Sequence, residues 1–460
     1  MREKLERKVE KLSEKGADYA DIRFERGTSE SLNIKDGSVE EIESSSSRGL
    51  GIRVLYNGSW GFGSTNSIEK LDKASKKAFK TAKTLSKVTK KENFAVNQGN
   101  IFDEKISSDA RITPSSISLD QKLALIEEAE RSIRGSSDKI KSSQVSYNDY
   151  EGNKIFVNSN GSFMDKEDVS LSIFIFSTAK NNDKIESYRD RIATKKGFEY
   201  FKESDPVEKA VEVGKMSEKL LTAKKSPSKR MPVVLGDRLG GLFAHEAVGH
   251  AAEADTYLSG DSIFKGKKGD KIASEQVSIT DDPTVKEKFG SYRYDDEGVS
   301  SKRTEIIKNG RLEGLLHSRE TASRMDEKLT GNGRAESYNC RPIVRMSNTF
   351  FEKGNINKEE LIESMKNGIF LEGFKGGQVS TKEGNFTFGA THGYIIKNGE
   401  TKNMVKNPTI SGRTLEVLKK ISMVAKNLEI GDPGFCGKSG QSVMADNGAP
   451  WMKVDEMVVG

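Results

Sequence analysis

The chain has 460 residues, 34% of them hydrophobic and 31% charged, with 75 lysines and arginines against 69 aspartates and glutamates. That length is more than one hydrophobic core usually fills, so at least two cores are expected. No apolar run approaches the roughly 18 residues of a membrane-spanning helix; the charged opening MREKLERKVEKL is not a signal peptide, and the formal net charge of +6 is interleaved with acids without any RNP, zinc-finger or Arg-rich pattern. The expectation is a cytoplasmic protein with neither membrane nor nucleic acid as partner.

Leu5, Val9 and Leu12 recur at helical spacing, and Ala20, Ile22 and Phe24 then alternate as on a half-buried strand. Asp36-Gly37 and Asn57-Gly58 each separate two strand-like runs, which predicts a pair of tight hairpins in an antiparallel sheet. Ile68, Leu71, Ala74, Ala78 and Leu85 predict a helix over 66–88 with its lysines toward solvent. A polar stretch over 89–115 leads to a second helix, ISLDQKLALIEEAERSIR, then to strand-like runs over 143–190 with an Asn160-Gly161 turn, and to a helix over 207–222. The basic, Ser-rich AKKSPSKR that follows disfavours continued structure and places the main boundary near 225. The predicted class is α+β. An N-terminal domain spans 1–225, which a boundary near 90–115 could divide into two subdomains, and a mostly antiparallel, β-rich C-terminal domain spans 226–460.

Of only four histidines, two stand within six residues: His245-Glu246-Ala247-Val248-Gly249-His250. Neutral imidazoles are good zinc ligands, and a carboxylate beside the first can take a proton from metal-bound water, as in peptidases carrying a helical HExxH. Here the spacing is one residue longer. On a regular α-helix, positions i and i+5 point about 140° apart, against about 40° for i and i+4. Both histidines reach one ion only if the helix is widened by a π-bulge or distorted at Gly249, and such a distortion is predicted. The bland alternative is two histidines on a half-buried helix, and a third ligand would decide between them.

The two cysteines, Cys340 and Cys436, form at most one disulfide, which a reducing compartment disfavours. Cys436 lies in the glycine-rich GDPGFCGKSGQS, which can present a thiolate to a metal, although an isolated buried cysteine is commonly inert. Three protein ligands would leave a fourth position open, the mark of a catalytic zinc.

HEAVGH, together with ADYADIRFE, GLGIRVLYNGSWGFGST, GNGRAESYNCRPIVRMSNTFFEKG, FTFGATHGYIIKNG and CGKSGQSV in this order, resembles the TldD/PmbA family of metallopeptidases over essentially the whole chain. The resemblance is to the members that carry HExxxH rather than to the TldE/PmbA partners that lack it. It implies one zinc per chain on His245, His250 and Cys436, with Glu246 as general base and later acid. It also implies a dimer, of two identical chains or with a TldE/PmbA-like chain, that encloses the site and admits small or unfolded peptides, bound by main-chain pairing with a sheet edge.

Other residues carry weaker expectations. His317 and Cys340 default to structural roles; His392 is placed to donate to a tetrahedral oxyanion, although a lone histidine in a strand is more often a hydrogen-bonded structural residue. Arg334, Arg341 and Arg345 suit either a peptide carboxylate or fold-stabilising contacts. Glu253, three residues after His250, is the reserve ligand should Cys436 fail. Beside the peptidase stands a second reading, a non-catalytic peptide-binding or regulatory subunit with a structural metal; the carboxylate next to His245 favours the enzyme, since a structural site needs no base.

Overall fold

The computed structural model describes residues 1–88, 94–96 and 99–460; the predicted polar stretch beginning at 89 therefore lies in part outside the described residues. The N-terminal half runs α1 (Arg2–Glu14), β1 (Tyr19–Lys35), β2 (Ser38–Tyr56), β3 (Ser59–Thr65), α2 (Leu71–Val88), β4 (Asp103–Ile106), α3 (Leu119–Gly135), β5 (Ile140–Asn158), β6 (Phe163–Asn181), β7 (Lys184–Thr194) and α4 (Pro206–Thr222). Its strands form one sheet in the order β3-β2-β1-β5-β6-β4, with β7 also on β6. Both predicted hairpins are there. Asp36 and Gly37 have φ of 52° and 83°, and Asn57 and Gly58 of 44° and 70°, the consecutive left-handed residues that a two-residue turn matched to strand twist requires.

The two larger patches of core along this sheet are each covered by a pair of helices. Leu5, Val9 and Leu12 of α1 and Ala78 of α2 cover Ile22, Ile52 and Val54, while Ile126 and Ile133 of α3 and Val213 of α4 cover Val145, Ile173 and Ile175. The long strands β1 and β2 run well past the covered region, and Ser38–Arg48 is exposed on both faces.

The C-terminal half is β-rich, as predicted, and the class is α+β. Ten strands make one sheet, in which Met452–Val459 and Asn367–Glu372 flank Lys229–Leu235. One edge is Gly376–Val379; at the other, Lys224–Lys225 of the predicted linker pairs with Val405 and Lys406. Seven further strands include Asn348–Phe351, paired in parallel with Gln441–Ala449, which also pairs with Gly434–Lys438. Between the two sheets pass α5 (Asp237–Leu242), a π-helix (Phe243–Gly249), α6 (His250–Ala252) and α7 (Ala254–Ser259). Phe243, Ala247, Val248 and Ala251 share one core with Val233, Leu371, Phe386, Phe388, Val443 and Met452. The histidine-bearing segment is thus packed on several sides, and its backbone geometry is set by that packing. The halves of the chain meet at buried Arg53, which pairs with Asp21 and with Glu297 across the divide.

Candidate metal centre

The segment carrying HEAVGH is helical, but its middle is a π-helix: the amide of His250 donates to the carbonyl of His245, five residues back. One extra residue per turn brings positions five apart onto one face, as an α-helix does for positions four apart. Of the two distortions predicted, the π-type widening is present and a departure from helical geometry at Gly249 is not. Gly249 has an ordinary helical φ of −58°. What requires glycine is a close approach, since a Cβ there would stand 1.9 Å from the sulfur of buried Met346.

Cys436 arrives from the other side, on the short strand Gly434–Lys438, opposite Val443 in the ladder. Its alternation in that strand turns it inward, at 4% exposure, while neighbouring Phe435 faces out. Fully buried Arg345 grips the turn from behind, donating to the carbonyls of Cys436 and Gln441.

The structure brings His245, His250 and Cys436 together. Their donor atoms lie within 4.8 Å of one another, the only such group of three among the described residues. The Cys436 sulfur is 3.4 Å from His250 Nε2. A single ion held at about 2.0–2.3 Å from each donor would need only small adjustments of these side chains. Glu246 sits at the rim, its carboxylate 3.8 Å from His250 Nε2 and its side chain 36% exposed. Glu253, the reserve ligand, is turned to the far nitrogen of the ring, Nδ1, at 3.1 Å.

The three groups hold one another's charges: a thiolate faces two imidazoles whose protons a metal ion would displace on binding. Burial pushes the Cys436 thiol up, but His245 and His250 outweigh it and bring it to about 5. Burial likewise pushes both imidazoles down; Cys436 overrules this at His245, and Glu253 with Cys436 at His250, so both are raised. Buried His245 Nδ1 has no hydrogen-bond partner. Two imidazoles and a thiolate, one ring nitrogen unsatisfied, form a donor set of the N/S kind that zinc favours.

The remaining candidates fall elsewhere. His317 is buried, with Nδ1 on Thr321 and Nε2 3.3 Å from Glu327. His392 bonds Thr391, and burial pushes it to about 4, so it is neutral near pH 7. Arg334 donates to the Met346 carbonyl and stacks over Tyr292. Arg341 alone of the three arginines is exposed, lining a cavity of about 240 Å³ beside Asp255 and Leu258. Sequence reasoning missed Lys438 and Met346. The first stands two residues after Cys436 in CGK; the second had no local signal, because its importance lies in touching Gly249.

Residues 228–460 match the PmbA/TldA metallopeptidase C-terminal domain, 20–82 the PmbA/TldA metallopeptidase domain 1, and 112–221 the PmbA/TldA metallopeptidase central domain. A metalloprotease of Methanocaldococcus jannaschii is 43% identical over 96% of both chains. A zinc metalloprotease TldD homolog of Saccharolobus solfataricus is 29% identical over 98% of both. The crystal structure of TldE from Thermococcus kodakarensis shares the fold, with a TM-score of 0.75 at 20% identity, covering 100% of this chain and 99% of that one. The matched domains run in order along the chain and a relative above 40% identity spans nearly all of it; the chain belongs to the PmbA/TldD metallopeptidase family.

Proposed function

We propose that the chain is a zinc-dependent peptidase of the TldD type, with one zinc held by His245, His250 and Cys436 and with Glu246 as general base and then acid. The observation that carries this reading is the convergence of two imidazoles and a thiolate within 4.8 Å, with a half-open carboxylate at their rim. Zinc, when bound, polarises a scissile carbonyl and favours an attacking water near neutral pH. Glu246 takes the proton of that water and delivers it to the departing amine, for which its exposure on the open side of the cluster suits it. Buried Cys436 and His245 keep bulk solvent from the closed side.

Peptide is the substrate class that the surroundings favour. The edge strand Gly376–Val379 lies against the π-helix and, among the described residues, is paired on one side only, with Asn385–Gly389. An extended peptide added there would be held by main-chain hydrogen bonds, which gives broad rather than sequence-specific recognition and suits small or unfolded chains. We assign the chemistry to a C-terminal domain of 226–460 and place it in the cytoplasm, where a thiolate ligand stays reduced; Cys340 and Cys436 are both free. The partner in this proposal is a second copy or a TldE/PmbA-like chain, and light scattering of the purified chain alone separates the two.

The test joins elemental analysis with cleavage of an unstructured peptide pool by wild type, Glu246→Gln and Cys436→Ala. About one zinc per chain, retained in Glu246→Gln with cleavage abolished, is the expected result. Zinc bound without cleavage by wild type, with or without a TldE-like partner added, would overturn the catalytic reading.

A further inference from the structure

His250 presents its two ring nitrogens to different neighbours. Nε2 lies 3.4 Å from the Cys436 sulfur, and Nδ1 lies 3.1 Å from Glu253 Oε2. That same carboxylate oxygen meets Lys438 Nζ at 3.0 Å. Lys438 continues to both oxygens of Asp255, at 2.7 and 2.9 Å, and to the Val344 carbonyl at 3.0 Å, so the three hydrogens of its ammonium are fully engaged. Glu253 is 1% exposed, and a carboxylate so buried is tolerated only with charged and hydrogen-bonded partners such as these.

The connectivity gives this chain of contacts its meaning. Glu253, an extended residue at the break between α6 and α7, and Asp255 of α7 follow His250, and Lys438 follows Cys436 on its strand. Two candidate ligands 186 residues apart are therefore joined a second time, outside the cluster, through Glu253 and Lys438.

We propose that Glu253 and Lys438 are positioning residues for the metal centre: Glu253 accepts the Nδ1 hydrogen of His250, turning a bare Nε2 toward the cation, and Lys438 locks the strand of Cys436 to that same carboxylate. The inference rests on the ligand reading given above. A carboxylate on the far nitrogen of a metal-binding imidazole fixes its tautomer and ring orientation and strengthens it as a donor. Lys438 adds a tie between ring and thiolate, so that neither ligand moves without the other.

The test is zinc affinity of the full chain, by competition with a chromophoric chelator, for wild type, Glu253→Gln, Lys438→Met, Lys438→Arg and the Glu253→Gln/Lys438→Met double variant. Circular dichroism and thermal unfolding of the metal-free proteins run alongside. Glu253→Gln and Lys438→Met are each expected to weaken zinc about 10–100-fold with the metal-free fold intact. The double variant should be no weaker than the weaker single one, because both cut the same chain of contacts, and Lys438→Arg should recover most of the affinity. Wild-type affinity in either single variant, or losses that multiply in the double, would overturn the proposal. If Lys438→Met does not fold, the cobalt(II) absorption spectrum of Glu253→Gln decides: altered ligand-field bands are expected, and an unchanged spectrum with unchanged affinity overturns it. Absence of zinc binding by wild type would instead remove the ligand reading, and this inference with it.

Discussion

Met346 places its sulfur where a side chain on residue 249 would have to stand, so the second histidine of HEAVGH is seated by a contact from a segment almost a hundred positions away. Gly249→Ala should force that buried methionine aside and disturb the π-turn between the histidines. Overpacking of this kind costs roughly 1–3 kcal/mol. The expected outcome is a lower urea midpoint for the metal-free protein and weaker zinc binding. Adding Met346→Ala should recover the zinc binding more fully than the stability, since it relieves the clash but leaves a cavity.

The sequence was legible where one residue pattern dictates one geometry. Asn-Gly and Asp-Gly pairs determine the hairpins, because few other residues accept two successive left-handed conformations, and the apolar spacing of α1, α2, α3 and α4 determines those helices. The extended ends of β1 and β2 were less legible: over Ser38–Arg48 both faces meet solvent, so no apolar alternation marks the strand. At the site, the i, i+5 spacing of the histidines already required a widened or distorted helix if both were to reach one ion. The reason glycine occupies position 249, and the turning of Glu253 away from the cluster, depend on Met346 and Lys438, whose approach is a property of the fold and not of the local sequence.

The thiol of Cys436 offers a pH test in the metal-free protein. An ordinary thiol ionises near 8.5; here His245 and His250 bring it to about 5 against the effect of burial. A depressed folded-state value gives stabilisation that is lost as pH falls through about 5. In a Cys340→Ser background, alkylation by iodoacetamide should rise with pH through an inflection at about 5 and level off by neutrality. Zinc should suppress it. An inflection near 8.5 would show that the imidazoles do not hold the thiolate.

Asp446 makes the opposite prediction. It is 2% exposed, and burial pushes its carboxyl up to about 6 although Lys288 pulls the other way. A raised folded-state value means that the protonated carboxyl is the favoured form inside, so its contribution is present below the unfolded value near 3.9 and is lost as pH rises through about 6. Asp446→Asn keeps the shape and the acceptor that takes the Asn447 amide at 2.9 Å. Relative to this variant, wild type should lose roughly 2–3 kcal/mol between pH 4 and 7, read from paired urea titrations in which the other titrating groups cancel. A constant difference across that range would contradict the burial argument.

Arg345 gives the sharpest separation between folding and metal binding. It is fully buried, and its guanidinium donates to the carbonyls of Cys436 and Gln441, one on each strand of one hairpin near its turn. Planar and forked, it satisfies both acceptors at once, which a lysine ammonium on a flexible stem does less well. Arg345→Lys should therefore preserve the charge and most of the fold while releasing the hairpin, at about 1–3 kcal/mol for the weakened buried hydrogen bonds. Amide hydrogen exchange should quicken over 434–445 and remain near wild type over β1, β5 and β6, and zinc affinity should fall because the thiolate is no longer held against His250. Unchanged exchange in that hairpin, with zinc affinity intact, would mean that the strand pairing from Gly434 to Lys438 positions Cys436 without Arg345.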